Sequence, residues 1–339
     1  MITGGGSGAV TPAFIDAPFD ALQRQARADR TMLAWDFTSQ NPTVNKASDA
    51  CLVFVNEIAA EGWDRPNLAD PWSDVLIENV AKQCNNTQVI VHNAGIRVVD
   101  RWIDNPNITA VIFAHLPGQE TGQALVDVMY GKQSPSGRLP YTVAKKESDY
   151  GSLLAPTVPD NTSAYYLQDN FTEGVYIDYK DFIARNITPR YEFGFGLTYS
   201  EFSYAELTTA LTSNTTAGSF GSTYSGNGTS VQPEGGDPAL WEKVASVGCT
   251  IKNTGSVAAA EVAQLYVHIP GGPERVLRGF EKTLLQPGEE CKVSFELTRR
   301  DLSTWDVAEQ AWALQRGKYQ VMVGKSVLDI QLRGSLTVS

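Results

Sequence analysis

Cys51-Leu-Val-Phe-Val55, Gln88-Val-Ile-Val-His92 and Ala110-Val-Ile-Phe-Ala114 are three short runs dominated by Val, Ile, Leu and Phe. The reading of the stretch from Cys51 to Ala114 decides the fold of the first half of the chain. Within each run apolar residues follow one another instead of alternating with polar ones, the pattern of strands covered on both faces. Between and after them the period changes. Trp72 to Gln83, Arg97 to Ile103 and Thr121 to Tyr130 have helical spacing, and the last stops at Gly131, where a helix end wants a left-handed residue. Strand and helix in alternation predict βαβ units with a mostly parallel sheet. Residues 1–150 therefore read as an α/β sandwich domain.

Beyond Gly131 the texture changes. Lys132-Gln-Ser-Pro-Ser-Gly-Arg-Leu-Pro140 is turn chemistry, and residues 151–200 form a polar, aromatic-rich connecting segment. Residues 212–236 are dominated by Ser, Thr and Gly, too poor in apolar groups to offset their own ordering, and read as a surface insertion. From Val244 onward short alternating runs recur: Val247-Gly-Cys-Thr-Ile-Lys252, Ala263-Gln-Leu-Tyr-Val-His268, Cys291-Lys-Val-Ser-Phe-Glu-Leu297 and Gly317-Lys-Tyr-Gln-Val-Met-Val323. Asn-Thr-Gly, Pro-Gly-Gly and Pro-Gly-Glu turns separate them. That spacing predicts an all-β sandwich of immunoglobulin or fibronectin type III-like form over residues 201–339. No internal repeat is visible.

The 339 residues allow about two domains at roughly 150 residues each. A formal charge of −11 argues against a nucleic-acid partner, which requires a basic surface to displace counterions. No apolar run reaches the roughly 18 residues of a membrane span, so no membrane partner is expected. The four cysteines, Cys51, Cys84, Cys249 and Cys291, show neither CxxC spacing nor an HxxxH companion, which argues against a metal site. They allow three pairings; Cys51–Cys84 and Cys249–Cys291 are favoured because each lies within one domain. Sequons stand at Asn85, Asn107, Asn161, Asn170, Asn186, Asn214 and Asn227. That is more than the rough three expected by chance from so loose a motif, and suggests a glycosylated, secreted protein. Met1 leads straight into Ile-Thr-Gly-Gly-Gly without a basic or apolar leader. A secreted composition without a leader suggests a fragment of a longer protein.

Gly4-Gly-Gly-Ser7-Gly8 lacks the lysine of a phosphate-binding P-loop, and Ala9 stands where a nucleophile elbow needs its last glycine. Alone it reads as a flexible turn. His92 and His115 close two strands and read as hydrogen-bonded structural residues. The segment from Val55 to Leu68 carries the chemistry, because it leaves the carboxyl end of an apolar strand, where open α/β sheets place their sites. In it Glu61 is followed by Gly62, which lets a sugar approach, and by Trp63, whose indole can stack on a pyranose. A carboxyl beside an indole in a dry pocket would have its charged form disfavoured, as a general acid requires. The plain alternative is a solvated loop glutamate.

Several motifs occur in a fixed order: Gly4-Gly-Gly-Ser-Gly, Glu61-Gly-Trp-Asp-Arg, His92-Asn-Ala-Gly, Pro117-Gly-Gln-Glu, Gly131-Lys-Gln-Ser-Pro-Ser-Gly-Arg-Leu-Pro and Tyr191-Glu-Phe-Gly-Phe-Gly-Leu-Thr-Tyr-Ser. Leu277-Arg-Gly-Phe-Glu-Lys, Pro287-Gly-Glu and Asp301-Leu-Ser-Thr-Trp-Asp follow. The set resembles the carboxyl-terminal half of a family 3 glycoside hydrolase, and is most similar to fungal secreted β-glucosidases. The resemblance implies an α/β sandwich followed by a fibronectin-like domain, with no cofactor. It implies retaining hydrolysis of β-glucosides, including cello-oligosaccharides, as in cellulose and other polysaccharide degradation. Glu61 matches the family's acid/base glutamate, Trp63 an aromatic that lines the aglycone side, and Ser7 a loop serine near the same subsite. Asp64 and Arg65 match positions that hold the loop in shape.

The catalytic barrel of the family, with its nucleophilic aspartate, is missing, so the resemblance also implies an absent N-terminal barrel partner. Ser148-Asp-Tyr150 echoes the nucleophile segment only superficially. A retaining glycosidase needs two carboxyls about 5–5.5 Å apart. With one of the two, the expectation is little or no turnover by this chain alone. A non-catalytic carbohydrate-binding module and an inactive fragment are the alternative readings.

Overall fold

The computed structural model describes residues 2–62, 65–154, 170–212, 215–220 and 236–339. The chain divides into two compact units, Met1–Gln133 with Val143–Leu154, and Ser134–Thr142 with Ala155–Ser339.

In the first unit β1 (Cys51–Glu57), β2 (Thr87–Asn93) and β3 (Ile108–Phe113) form a parallel sheet in that order. The central strand is almost wholly buried, as its unbroken apolar run requires. Successive side chains of β1 point to opposite faces. Leu52 and Phe54 pack with Ala21 and Leu22 of helix α1 (Pro18–Asp29) and Val126 of α3 (Thr121–Met129). Val53 and Val55 are buried on the other face, and α2 (Pro71–Ala81), the crossover from β1 to β2, packs on those two strands. The Asp70 carboxylate caps α2 by accepting from the Trp72 and Ser73 amides at 3.1 and 3.3 Å, and Pro71 opens the first turn. Gly131 takes φ +72° after α3, as its helix-stop position demands.

One expected helix is absent. Residues 97–99 have no regular structure and 100–104 form a turn, with Trp102 and Ile103 both donating to the Val99 carbonyl. Val98 donates instead to the Leu68 carbonyl at 2.9 Å, and the Arg97 guanidinium is buried against Asp74, so both are committed elsewhere. Conversely, the sequence reading did not name α1, a polar helix of whose twelve residues Ala21, Leu22 and Ala26 are buried.

Among the described residues the second unit contains α4 (Tyr179–Ala184) and ten strands: β4 (Phe202–Leu211), β5 (Gly218–Phe220), β6 (Lys243–Asn253), β7 (Ala259–His268), β8 (Val276–Leu285), β9 (Glu290–Thr298), β10 (Ser303–Asp306), β11 (Ala311–Leu314), β12 (Gly317–Gly324) and β13 (Ile330–Val338). The sheets β4-β6-β9 and β13-β12-β7-β8 are antiparallel and enclose one core that includes Val247, Ile251, Leu265, Val267, Phe295 and Val321. A small third sheet, β10-β11-β5, completes the unit. Ser134–Thr142 belongs here through paired backbone bonds between Leu139 and Gly194–Phe195, each 2.8 Å. A buried ion pair, Arg138 to Glu261 at 2.9 Å, adds to it, and Tyr204 donates to the same carboxylate at 2.8 Å. The Ser/Thr/Gly tract falls mostly outside the described residues.

Cys51 and Cys84 are joined, with Cα atoms 6.3 Å apart. The expected Cys249–Cys291 bridge does not form; both thiols are free. In the β6–β9 register Cys249 faces Val293 and Cys291 faces Ile251. The two cysteines are therefore diagonal neighbours, typically about 7–8 Å apart against the roughly 3.8 Å between Cβ atoms that a disulfide needs. Burial pushes the Cys249 thiol up to about 11. We expect a thiol reagent to label the half-exposed Cys291 in the native protein and Cys249 only on unfolding. Cys84→Ser should cost about 3–4 kcal/mol for the 33-residue separation. A thiol count of zero after denaturation would overturn the assignment.

Candidate active site

Beyond Glu57 the chain runs through Ile58, Ala59 and Ala60 to Glu61, at the carboxyl end of the sheet. The glycine loop lies against it. Gly5 bridges Ala60 in parallel sense, its amide donating to the Ala59 carbonyl at 2.8 Å. A Cβ on Gly5 would fall 2.7 Å from the Ala60 Cβ, and one on Gly6, at φ +64°, 2.4 Å from the Glu61 Cβ. The loop is therefore a close-fitting wall for Glu61, and reading it as a slack turn missed this. Glycine is required there by contact as much as by conformation.

Ser7 caps that wall. Its amide donates to Glu61 Oε2 at 2.9 Å and its hydroxyl donates to the same oxygen. The two residues stand 54 positions apart in sequence, so only the fold brings them together. Glu61 is exposed, and the Ser7 hydroxyl, followed by the Ser7 amide, holds its carboxyl below the usual carboxylate range. The expected dry pocket that raises its pKa is thus not what surrounds Glu61 in this chain. The sign is clear: stabilising the anion keeps the Ser7–Glu61 link intact at neutral pH and releases it as pH falls through that lowered value. Ser7→Ala should move the Glu61 titration upward, toward an ordinary glutamate. Carboxyl NMR of the two proteins checks it, and an unmoved midpoint would sink the assignment.

Trp63 and Asp64 lie outside the described residues. Arg65 donates to the Ile96 carbonyl at 2.9 Å, tying the far side of the loop to the turn after β2. Glu147 accepts from the Leu68 and Ala69 amides at 2.7 and 3.0 Å. Beneath the loop is a charge cluster that sequence reading missed. Arg97, only 1% exposed, donates to Asp74 at 2.9 Å and lies 3.9 Å from both Glu57 and Asp70. The Trp102 indole N–H donates to the same Asp74 oxygen at 2.9 Å. Burial pushes the carboxyls of Asp74 and Glu57 up, against the pull of Arg97. These residues are scattered from 57 to 102, and no local spacing signals their meeting.

The remaining candidates are structural in their contacts. His92 is buried, shares a 3.2 Å hydrogen bond with the Thr121 hydroxyl, and is pushed down to about 4 by desolvation, so it is neutral near pH 7. Burial lowers His115 as well. Tyr150 accepts from the Ala144 amide at 2.9 Å, and Asp149 from the Lys146 amide at 3.3 Å, so Ser148-Asp-Tyr150 stabilises its own turn. Among the sequons, Asn85, Asn170 and Asn186 are exposed. Asn107 is half-buried and donates its side-chain amide to the Ala81 carbonyl at 2.7 Å. Asn161, Asn214 and Asn227 lie outside the described residues. No helix among the described residues is long and apolar enough to cross a membrane.

Comparison with known proteins gives a consistent set of relatives. Residues 1–199 match the Glycosyl hydrolase family 3 C-terminal domain, and residues 261–327 match a Fibronectin type III-like domain. Over 335 residues the chain is 55% identical to Probable beta-glucosidase M of Aspergillus fumigatus, covering 99% of itself and 42% of that protein. It is 50% identical to Beta-glucosidase cel3A of Pyricularia oryzae, covering 100% of itself and again 42% of the relative. Among solved structures, Beta-D-glucoside glucohydrolase from Trichoderma reesei superposes with a TM-score of 0.86 at 37% identity, over 100% of this chain and 47% of that one. The chain therefore spans less than half the length of the relatives it matches. With residues 1–199 matched, more than half its length, it belongs to the glycosyl hydrolase family 3 C-terminal domain family, here followed by a fibronectin type III-like domain.

Proposed function

We propose that the chain is the acid/base-bearing part of a retaining β-glucosidase, and that it acts together with a domain that supplies the nucleophile. The observation that carries this is the seat of Glu61: a carboxylate on the turn beyond β1, gripped at one oxygen by Ser7 and walled by glycine. Such a fixed, accessible carboxyl suits a group that must first protonate a leaving oxygen and then take a proton from water. Its lowered pKa supports the half-site reading. An acid must carry its proton, and a second carboxylate about 5–5.5 Å away would raise the value. The described partner of Glu61 is Ser7, which lowers it. The two relatives named above are called β-glucosidases, which supports a β-glucoside substrate. The exposed sequons Asn85, Asn170 and Asn186 fit a secreted glycoprotein.

The experiment is hydrolysis of an aryl β-glucoside by the purified chain, alone and mixed with the portion of the A. fumigatus relative that the chain does not match. No turnover alone and turnover on mixing is the expected result. Turnover by the chain alone would refute the half-site reading. Glucoside binding without hydrolysis in both preparations would favour a carbohydrate-binding module instead.

A further inference from the structure

The second unit holds a group of hydrogen-bond donors that lack an acceptor. The register of β7 with β8 shifts between Leu265 and Tyr266, which face Gly279 and Leu277, so Arg278 has no partner across the ladder. It is the extra residue of a β-bulge, a device that aims a side chain where a regular strand would not. The change of face is visible on either side of it. Leu277 packs with Tyr179 and Tyr266, whereas a Cβ on Gly279 would fall 3.0 Å from the Phe295 ring in the sandwich core. In a regular strand two residues so spaced would share a face.

Arg278 is half-buried, and its Nε is enclosed without an acceptor. Three other arginines with an enclosed Nε have a partner elsewhere on the guanidinium. Arg97 meets Asp74, Arg138 meets Glu261, and Arg275 donates to the Val327 carbonyl at 2.6 Å. Among the described residues the Arg278 side chain makes neither an ion pair nor a hydrogen bond. Helix α4 lies alongside it. The Tyr179 hydroxyl accepts from the Leu277 amide at 3.1 Å, and among the described residues its own proton has no acceptor. Lys180 follows, half-buried and likewise unpaired among the described residues. Burial lowers the pKa of Lys180, and the charge of Arg278 lowers it further. Burial also leads the lowering at Arg278. The other charges acting here are Asp178 on Lys180, and Asp301 and Arg300 on Arg278. Both carboxylates are committed elsewhere. Asp178 accepts from the Thr142 amide and hydroxyl at 2.8 and 3.0 Å, and Asp301 from those of Thr298 at 2.8 and 2.7 Å. Arg300 adds positive charge and stacks on Trp312, its Cζ 4.0 Å from the ring centroid. A guanidinium and an ammonium only donate, so the group is left with surplus positive charge and no acceptor.

We propose that Arg278 and Lys180, with the Tyr179 hydroxyl, form a binding site for a small oxyanion of the phosphate class. A tetrahedral dianion offers acceptors to all three groups and offsets both charges through charge-assisted hydrogen bonds. The site is independent of Glu61 and of the role assigned to it.

The test is a titration of the full chain with inorganic phosphate, followed by NMR of the arginine Nε–H groups. The Arg278 resonance should shift saturably with phosphate and stay still in sodium chloride of the same ionic strength. Lys180→Met should weaken phosphate binding about 10- to 100-fold, the usual worth of a hydrogen bond to a charged group. Lys282→Met, at an exposed position further along β8, should leave it unchanged. Arg278→Met should abolish the phosphate response while the phosphate-free protein unfolds at the same or a higher temperature, because an apolar chain replaces an uncompensated cation. That temperature separates lost binding from lost folding. No shift, an equal shift in chloride, or full binding by Lys180→Met would overturn the proposal. So would an Arg278 that ignores phosphate in the complex with the unmatched portion of the A. fumigatus relative, since a carboxylate of that portion would then occupy the site.

Discussion

Glu61→Gln is expected to lower β-glucoside hydrolysis by the reassembled enzyme by about 10²–10⁴-fold, the usual contribution of a positioned acid/base. The substitution retains an oxygen that can accept from Ser7, so the loop should keep its shape while the transferable proton is lost. The loss should grow with the basicity of the leaving group, because a poor leaving group needs its oxygen protonated. A small anionic nucleophile such as azide, which needs no general base, should restore part of the second step. The pH profile gives an independent check. In the chain alone the Ser7 hydroxyl and amide hold Glu61 below the ordinary carboxylate range. In an assembled site a second carboxylate beside Glu61 would oppose that pull and raise the value. The acid limb of Glu61, followed by NMR, should therefore move upward on assembly. A full-rate Glu61→Gln enzyme would end the acid/base assignment.

Arg97→Met should destabilise the first unit by about 3–5 kcal/mol, the cost of leaving one member of a buried ion pair alone. Arg97 and Asp74 are 1% and 2% exposed and 2.9 Å apart, and among the described residues the Trp102 indole would be left as the side-chain donor to the Asp74 carboxylate. By contrast Arg101→Met, at the solvent-facing pair with Glu78, should cost far less. Urea unfolding of both variants makes the comparison. The pH dependence has a definite sign. Burial raises the Asp74 carboxyl above its ordinary value despite Arg97, so the folded state binds this proton more tightly than the unfolded chain. The Asp74 contribution to stability is therefore greatest below the ordinary aspartate range and declines as pH rises through the raised value. A cost below about 1 kcal/mol for Arg97→Met at neutral pH would overturn the assignment of a buried ion pair.

The sequence by itself determined what depends on neighbours along the chain. The uninterrupted runs at β1, β2 and β3 specify a parallel sheet because both faces must be covered, and the alternation in β6, β9 and β12 specifies a sandwich. The ordered motifs singled out Glu61 as the candidate acid/base and Ser7 as a loop serine near the same subsite. Residue order could not show what depends on approach across distance. Cys249 and Cys291 share a domain, but the β6–β9 register offsets them by two residues, and register is a property of the pairing. Residues 97–103 have helical spacing, but a buried guanidinium and the Val98–Leu68 bond outweigh that weak local preference. The charge state of Glu61 was decided in the same way. The carboxylate and the serine that lowers its pKa lie 54 residues apart, and hydrogen bonding and desolvation, which act over a few ångströms, set that pKa only once the glycine loop has packed against Ala60 and Glu61.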